Sequence, residues 1–415
     1  MKEYAKILRN GANQSTIKHS NRGLIFEVLN TVGPCSRTQL AKITGLTKTS
    51  ITNITTQMIE EKIICEMGAA DSQLGRKPVM LDISSHSPCA LGVSINRDFV
   101  YASLVNLRGE LKIEKNYIIR DGETKESLWK GIVKCCDSIL QSDAARNVQL
   151  LGIGVASIGP LDIKNGMILS PPNFKGIHNI EIVPRLEQKY GLPVFMNNDM
   201  SAGAISEKLF GYGKRISDFV FIGVTNGIGA GVVVDKKFFM GSNGFAGEIG
   251  HISIDYNGRD CPCGNKGCLE VYAGIPYIEK SAVEKVNAGE VSLLSGLKEI
   301  RWLDIVDAAH KRDKVACRVI GELVEYLAVG ITSIVDAYDP QVVFLGHDIA
   351  IAGDLVCKPL KESVNKRKFS KSFNEVDIKI SKFKDMLYKI NGAAVIIYHY
   401  LNGALVDYDR KEAGV

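Results

Sequence analysis

The sequence predicts an α/β protein in which an N-terminal winged helix-turn-helix, residues 1–85, precedes a two-lobed α/β body. Three helical patterns and a Gly-containing pair of β-like runs open the chain, and apolar strands then alternate with amphipathic helices. One histidine and three cysteines gather within residues 248–270. We expect a first lobe at 86–200 and a second lobe at 201–385, with a terminal helix at about 386–410 returning to the first.

The composition is that of a soluble globular protein. Of 415 residues, 45% are hydrophobic and 23% are charged, which are ordinary shares. No run of about 18 apolar residues is present, so we expect no membrane span, and the polar, charged N-terminus is unlike a secretory signal. The ten cysteines do not resemble a disulfide framework, which favours the reducing cytoplasm.

Positive charge is concentrated at the front of the chain. Residues 1–85 contain eleven Lys and Arg against seven Asp and Glu, a net charge of +4, whereas the rest of the chain has a net charge of +1. This placement indicates that a polyanion contacts the front of the chain.

The front segment predicts three helices and a wing. NRGLIFEVLNTVG predicts a helix that ends at Gly33-Pro34. Ser36 is a candidate N-cap for a short second helix ending at Gly45, and Thr47 opens a third helix that runs to the segment EEKII. Two short helices joined by a glycine turn are typical of a helix-turn-helix, whose second helix reads the major groove. The segment ICEMGAADSQLGRKPVMLDI then predicts a β-hairpin wing.

The candidate DNA-binding residues are polar or cationic. Those near the helix starts can bond phosphates or base edges, and no acid follows the start of the third helix until Glu60. Those in the wing offer two cations to phosphates or to the minor groove. The complete set is Ser36, Arg37, Thr47, Lys48, Thr49, Ser50, Thr52, Asn53, Arg76 and Lys77. The alternative is a small helical bundle used only for protein contacts.

The period of the apolar pattern changes after residue 86. Three short strands are predicted over CALGVSINRDFVYASLVNLRGELKIEKNYII, and helices then alternate with the strands LLGIGVASIG and PVFMNND. Two buried strands around a glycine-rich turn follow at 219–239, helices fill most of 276–337, and VVFLG is a late strand. The alternation predicts a mixed sheet, and the order suggests two lobes with a ligand cleft.

The segment Glu248–Glu270 contains His251, Cys261, Cys263 and Cys268, separated by nine, one and four residues. Three thiolates and one imidazole form a closed tetrahedral set, which is typical of structural Zn²⁺. The alternative is three buried free thiols beside an unrelated histidine. Four protein ligands leave the ion no open position, so we expect it to shape the loop and not to act as a reaction centre.

The body resembles the ROK family (repressors, open reading frames and sugar kinases) over essentially all of residues 86–410. The most specific part is GEIGH…CPCGNKGCLE, which matches the zinc signature of that family without a gap. The resemblance implies an actin-like, hexokinase-like two-lobed fold. With a winged helix in front, the chain is similar to the family's repressors of the xylose and N-acetylglucosamine type and less similar to its free-standing kinases.

The resemblance also implies a sugar site. The positions that match the family's sugar contacts are Gly159, Asn198, Asp199, Glu248, His251 and Glu270. Asp199 occupies the position of the base that deprotonates the attacking hydroxyl in the kinases, and in a sensor it would accept hydrogen bonds from the sugar. The alternatives are that Asp199 serves only as a helix N-cap, and that Glu248 and Glu270 are solvated loop acids.

The positions that match the nucleotide loops of ROK kinases are altered. Where those kinases carry Asp-x-Gly-Gly-Thr, this chain has Ser94–Asp98, so the acid and both glycines are replaced. Late in the chain only Gly346 of a glycine pair is present, followed by His347. The glycine-rich turn at 225–231 is intact. Its glycines either allow an anion to bind or allow a tight hairpin between two strands. We therefore expect no catalytic residue.

These observations predict a cytoplasmic, sugar-responsive transcription factor, a repressor of a carbohydrate-utilisation operon such as one for xylose metabolism. It would bind a palindromic operator as a homodimer or homotetramer and contain structural Zn²⁺. An ATP-dependent ROK sugar kinase with an attached DNA-binding domain is one alternative. A repressor controlled by a protein of sugar transport is another. Pentose, hexose and N-acetyl sugars all fit the same carboxylates.

Overall fold

The computed structural model describes residues 14–69 and 78–405, and the chain divides into two units. Unit 2 comprises residues 200–387, and unit 1 comprises the chain before and after it. The predicted lobes end at residues 200 and 385, whereas the chain passes between the units after Asp199 and after Leu387. The first 85 residues are grouped with unit 1, so their boundary as a separate domain stays a prediction.

The N-terminal part of unit 1 contains three helices and a three-stranded antiparallel sheet. The helices are α1 (Gln14–Val32), α2 (Arg37–Thr44) and α3 (Lys48–Glu60). The sheet has the order β1-β3-β2 and consists of β1 (Cys35–Ser36), β2 (Ile64–Ala69) and β3 (Val79–Ile83). This arrangement is the predicted winged helix-turn-helix.

Two element boundaries differ from the prediction. α1 begins at Gln14, earlier than the predicted Asn21. Around His19 it lies against Gly403, where an added Cβ would lie 3.1 Å from His19 Cβ. α3 ends at Glu60, where the sequence predicted a longer helix, because Ile64 begins β2. The apolar pattern of the sequence did not locate the start of α1 or the end of α3, and helix ends are the least certain part of such a prediction.

Caps define the two short helices. The Ser36 hydroxyl accepts the Gln39 amide at 3.3 Å, and the Gln39 side chain accepts the Ser36 amide at 2.8 Å, which forms a capping box. Gly45 ends α2 in the left-handed region with φ 72°. The Thr47 hydroxyl accepts the Ser50 amide at 3.1 Å and starts α3. The buried core beneath these helices includes Ile25, Phe26, Leu29, Leu40, Ile51, Ile54, Met58, Ile64 and Leu81.

The body of unit 1 is built on a five-stranded sheet in the order β11-β7-β4-β5-β6. The first three are parallel, and β5 is antiparallel to both of its neighbours. One face packs against α4 (Lys125–Leu140) and α5 (Ile182–Tyr190). The strands are β4 (Cys89–Ile95), β5 (Phe99–Asn106), β6 (Leu111–Ile118), β7 (Leu150–Ser157) and β11 (Val194–Asn198). A small antiparallel sheet consists of β8 (Leu161–Asp162), β9 (Met167–Ile168) and β10 (Ile180–Glu181).

The terminal helix α12 (Leu387–Leu401) lies on the other face of this sheet. It approaches the strands at backbone distance, because a Cβ on Gly154 would collide with the Gly392 carbonyl oxygen. The Gly392 amide donates to the Ser94 hydroxyl at 3.3 Å. α12 is therefore fixed directly against β4 and β7.

Unit 2 contains a second five-stranded sheet, in the order β14-β13-β12-β15-β16, with β12, β15 and β16 parallel. Its main core lies between this sheet and five helices, and Met200 and Ala204 of α6 (Asp199–Phe210) join a smaller cluster around Phe221. The strands are β12 (Phe219–Val224), β13 (Ile228–Val234), β14 (Lys237–Phe239), β15 (Val342–Gly346) and β16 (Asp377–Ile380). The helices are α7 (Glu270–Ala273), α8 (Ile275–Asn287), α9 (Trp302–His310), α10 (Lys314–Tyr338) and α11 (Asp354–Arg367).

Short 3₁₀ segments occupy Asp143–Ala145, Tyr212–Arg215, Ile249–His251, His347–Ala352 and Lys384–Met386. Among the helices of residues 14–69 and 78–405, none combines the length and apolar character needed to cross a bilayer.

Candidate functional site

The predicted zinc ligands meet in unit 2. The ligand atoms of His251, Cys261, Cys263 and Cys268 all lie within 4.8 Å of one another. Cys263 Sγ is 3.7 Å from Cys268 Sγ, and Cys261 Sγ is 3.7 Å from His251 Nδ1. Tetrahedral zinc with Zn–S bonds of about 2.3 Å places two sulfur ligands about 3.8 Å apart. The four residues therefore fit a structural Zn²⁺, with Nδ1 as the histidine ligand.

The loop that carries these ligands is shaped by its own backbone. The Cys261 amide donates to the Asn265 carbonyl at 2.9 Å, and the Gly267 amide donates to the Arg259 carbonyl at 2.7 Å. Gly267 has φ 68°, and a Cβ there would collide with the carbonyl of Asp255. These turns bring Cys261, Cys263 and Cys268 close to one another.

The three thiols differ in pKa because they differ in burial and in hydrogen bonding. Burial raises the pKa of Cys268 to about 12 and also raises the pKa of Cys261, whereas the backbone amide of Asn265 lowers the pKa of the exposed Cys263. A bound cation favours thiolates, so Zn²⁺ would offset the cost of ionisation at the two buried sulfurs.

Glu248 and Glu270 flank the zinc ligands. Glu248 precedes the 3₁₀ turn that ends at His251, and Glu270 opens α7. Glu270 Oε2 accepts the Ile228 amide at 3.0 Å, directly after the glycine-rich turn between β12 and β13. Partial desolvation raises the pKa of the Glu248 carboxyl, while His251 lowers that pKa and Glu270 raises it. The three predicted sugar contacts of unit 2 are therefore electrostatic neighbours.

The predicted sugar contacts of unit 1 lie at one edge of its sheet. β7 and β11 are parallel with Ser157 opposite Asn198, so Gly159 and Asn198 leave the sheet side by side. A Cβ on Gly159 would lie 3.2 Å from Asn198 Nδ2. Asp199 follows as the first residue of α6 and is 8% exposed, so it is not a freely solvated acid. Its carbonyl accepts Asn391 Nδ2 of α12 at 3.4 Å.

The predicted DNA-binding residues occupy two kinds of position. Lys48, Thr49, Thr52 and Asn53 are exposed on α3, and Ser50 is half-buried. Thr47 is exposed and caps that helix. The structure therefore presents a polar face, without an acid in its first turn, along the start of α3.

Two other predicted contacts serve the domain itself. Ser36 is 7% exposed and caps α2. The Arg37 guanidinium donates to the Thr55 hydroxyl at 3.1 Å and to the Glu66 carboxylate at 2.9 Å, so it ties α2 to α3 and β2. Arg76 and Lys77 lie outside the described residues. Thr56 is exposed one turn beyond Thr52, and its i+4 spacing was the signal that sequence reasoning missed.

Comparison with known proteins places the chain. The ROK family profile matches residues 90–398, about three quarters of the sequence. The chain belongs to the ROK family. A putative xylose repressor of Caldicellulosiruptor sp. (strain Rt8B.4) is 31% identical over 399 residues, which are 95% of this chain and 99% of that protein. The DNA-binding transcriptional dual regulator NagC of Escherichia coli (strain K12) is 28% identical over 95% of this chain and 97% of that protein.

ROK family structures of two kinds are similar to this one. A ROK family transcriptional regulator, described as a homolog of the E. coli MLC protein, has a TM-score of 0.81 and 29% identity over 94% of this chain and 98% of its own. A ROK glucokinase from Streptomyces griseus, in complex with glucose and AMPPNP, has a TM-score of 0.65 and 25% identity, covering 74% of this chain and 98% of its own. The predicted ROK membership and two-lobed fold are confirmed, and the regulator matches nearly the whole chain.

The segment 94–98, which the resemblance matches to the first nucleotide loop of ROK kinases, makes its hydrogen bonds and its ion pair within unit 1. The Asn96 carboxamide accepts the Arg97 amide at 2.6 Å, and Arg97 Nε donates to the Pro172 carbonyl at 3.0 Å. Asp98 lies 3.6 Å from Lys175 Nζ. In unit 2, His347 follows Gly346 with only 3% exposure, and its ring meets Phe221 edge to face with centroids 5.8 Å apart. The side chains of both segments are therefore held by contacts within their own units.

Proposed function

We propose that this ROK protein is a cytoplasmic, sugar-responsive transcriptional repressor. The observation that carries the proposal is the near full-length likeness to a ROK transcriptional regulator and to named repressors, which includes the winged helix-turn-helix. The polar face at the start of α3 supports operator binding, with Lys48, Thr49, Thr52 and Asn53 as the reading residues. A single short reading helix covers one half-site, so a homodimer or homotetramer on a palindromic operator follows.

Two polar sets are the candidate sugar contacts. Those of unit 1 are Gly159, Asn198 and Asp199, and those of unit 2 are Glu248, His251 and Glu270. Carboxylates and amides that face sugar hydroxyls discriminate strongly between sugars, because a sugar that lacks one hydroxyl leaves a desolvated protein group without its hydrogen-bond partner. Xylose is the first candidate, since relatives of high coverage are named xylose repressors. Such a protein would control genes of carbohydrate metabolism.

Zn²⁺ bound by His251, Cys261, Cys263 and Cys268 has a structural role. With Nδ1 on the metal, the other ring nitrogen of His251 is the one left for a sugar hydroxyl. The ion would hold the loop between Glu248 and Glu270 in one conformation, which orients both carboxylates.

The altered nucleotide loops support a sensor over a kinase. ROK kinases use glycines so that backbone amides can approach phosphate, but here Asn96 and Arg97 carry side chains that bond within unit 1. Glu270 accepts the amide of Ile228, within the glycine-rich segment 225–231, and so places a negative charge there. Asp199 at the position of the kinase base favours the alternative, a sugar kinase with a DNA-binding domain.

Operator binding with and without sugar tests the function. Full-length protein is titrated against an operator fragment that it has selected from random duplexes, in the presence of D-xylose, D-glucose or N-acetyl-D-glucosamine. We expect one sugar to change the operator Kd by about fivefold or more and to raise the melting temperature. Asp199→Ala should abolish both sugar effects and leave sugar-free operator binding intact, whereas Asp143→Ala, an exposed acid of unit 1, should behave as wild type.

Two results would contradict the proposal. An operator Kd that is the same with and without each of the sugars would contradict the sensing function. ATP-dependent phosphorylation of a sugar, lost in Asp199→Asn, would establish the kinase instead.

A further inference from the structure

Three helices of unit 1 meet at one hydrogen-bonded cluster, which we call the helix junction: Arg22 of α1, Glu61 at the end of α3 and Tyr400 of α12. Arg22 Nη1 donates to Glu61 Oε1 at 2.9 Å, and a second bond joins Nη2 to Oε2. Nη2 also donates to the Tyr400 hydroxyl at 3.3 Å. One guanidinium thus links the DNA-reading helix to the last helix of the body.

The hydrogen bonds of the junction restrain the geometry between Arg22 and Glu61. The side chain of Arg22 is 14% exposed and that of Glu61 is 41% exposed, so the pair is partly withdrawn from water. A bidentate guanidinium–carboxylate pair fixes the angle between its partners as well as their distance. Glu61 is the C-cap of α3, and its own amide donates to the Gln57 carbonyl at 2.9 Å. A restraint on Glu61 therefore acts on the axis of the reading helix.

Backbone contact beside the junction makes the attachment close. A Cβ on Gly23 would lie 2.6 Å from the Leu401 carbonyl oxygen, so only glycine fits at this crossing of α1 and α12. The link between the winged helix and β4 is also held by hydrogen bonds. Arg108 donates to the Ile83 carbonyl at 3.0 Å, and Asn106 Nδ2 donates to the Ser85 carbonyl at 3.1 Å. The winged helix is thus attached to the body at two separate places.

The same helix α12 reaches the proposed sugar site at its other end. Asn391 Nδ2 donates to the carbonyl of Asp199, and Gly392 is anchored on Ser94. Tyr400 lies nine positions after Asn391, which is about 14 Å along a helix. A rigid element therefore has one end at Asp199, where the chain leaves unit 1, and the other at the reading helix.

We infer that Arg22, Glu61 and Tyr400 are positioning residues that couple the sugar site to the DNA-reading helix through α12. The inference rests on the proposed function. Coupling between two sites requires a contact whose free energy differs between the sugar-bound and sugar-free arrangements. The junction is placed for that task, because α12 contacts α1 through Tyr400 and through the backbone approach of Leu401 to Gly23. A displacement of α12 that moves α1 must either move α3 as well or break the two charge-assisted Arg22–Glu61 bonds.

Operator titrations of junction variants test the inference. Arg22→Met and Glu61→Gln are compared with wild type by fluorescence anisotropy, with and without saturating D-xylose, D-glucose or N-acetyl-D-glucosamine. We expect both variants to reduce the sugar-induced change in operator Kd to within about twofold of no change, from about fivefold or more in wild type. Sugar affinity measured without DNA should change by less than about threefold, because these residues do not contact the sugar.

Two controls separate coupling from other effects. Glu60→Gln makes the same change of charge at the neighbouring exposed residue and should keep the wild-type sugar response. Tyr400→Phe removes only the longest bond of the junction and retains the ring, so it should reduce the response in part and should fold even if Arg22→Met does not.

The outcomes are distinct. A purely structural junction would lower the melting temperature of the variants and leave the sugar-induced change in operator Kd as in wild type, which overturns the inference alone. Wild-type protein that responds to none of the sugars overturns the proposed function, and the coupling inference with it.

Discussion

His399 on α12 shows how burial changes a single residue. Its ring stacks on Phe195 with centroids 4.1 Å apart, and Tyr398 approaches it edge to face at 5.9 Å. Burial lowers the pKa of His399 from 6.5 to about 4. The sequence showed only a histidine in a terminal helix, because the stacking partner comes from β11 some two hundred residues earlier.

The lowered pKa of His399 predicts a loss of stability in mild acid. The unfolded chain takes up its proton near pH 6.5 and the folded chain only near pH 4, so stability falls as the pH drops through this interval and is unaffected above it. Because part of the ring is still exposed, we expect unit 1 to lose about 1–2 kcal/mol between pH 7 and pH 5 from this residue. Urea unfolding of wild type and His399→Phe at both pH values measures the difference.

The exposed His310 provides the control. His310→Phe should keep the wild-type pH dependence, whereas His399→Phe should flatten it. An unchanged pH dependence in His399→Phe would show that this imidazole titrates normally.

The type of a residue predicts which bonds its side chain can make, but not which groups it makes them with. Arg37 is a candidate for DNA contact as a cation at a helix start, and its guanidinium also bonds Thr55 and Glu66. A long cationic side chain can serve solvent, DNA or its own domain, and only the neighbouring elements decide among these. Lys48 and Thr52 lie on the surface of α3, as its helical period indicated.

Among the elements, the loop that carries the His/Cys cluster is the part most fully predicted from sequence. Its ligands lie within twenty residues, so their spacing and the turn-forming glycines already restrict the loop to a few closed forms. α12 is the opposite case. Its sequence predicts a helix, but its attachment depends on Gly154 of β7 and Gly23 of α1, which are distant in the chain.

Substitution of one zinc ligand should open the loop. Cys263 is exposed, so Cys263→Ser removes a ligand and disturbs little of the core. We expect the zinc content to fall from about one ion per chain, the melting temperature to drop by about 5–10 °C and the sugar response to weaken. Metal analysis, thermal unfolding and the operator titration report these effects.

The matched control is Cys317→Ser, another exposed cysteine of unit 2 that lies outside the cluster. It should retain zinc, stability and sugar response. Loss of zinc in Cys263→Ser with an unchanged sugar response would show that the metal does not orient Glu248 and Glu270.

At the scale of the whole molecule, the arrangement of charge predicts how DNA binding depends on salt. Residues 1–85 have a net charge of +4, and Lys48 stands exposed at the start of the reading helix. If Lys48 contacts a phosphate, Lys48→Ala should reduce the slope of log K against log salt by about one per subunit. Anisotropy titrations of the operator at several salt concentrations measure the slope.

Lys311, exposed in unit 2, is the control for the salt experiment. Lys311→Ala removes the same charge from another part of the molecule and should leave the slope unchanged. Equal slopes in wild type and Lys48→Ala would place the DNA contact elsewhere.

Most of the elements, the His/Cys cluster and the ROK family could be predicted from the sequence, because periodicity, caps and closely spaced residues are local properties of a chain. The tertiary structure alone decided the first turns of α1, the engagement of Arg37, the burial of His399 and the helix junction. Each of these joins residues that lie far apart in the sequence or on opposite sides of a sheet. Such contacts depend on which faces pack together, and packing is settled only when the whole fold buries its apolar surface.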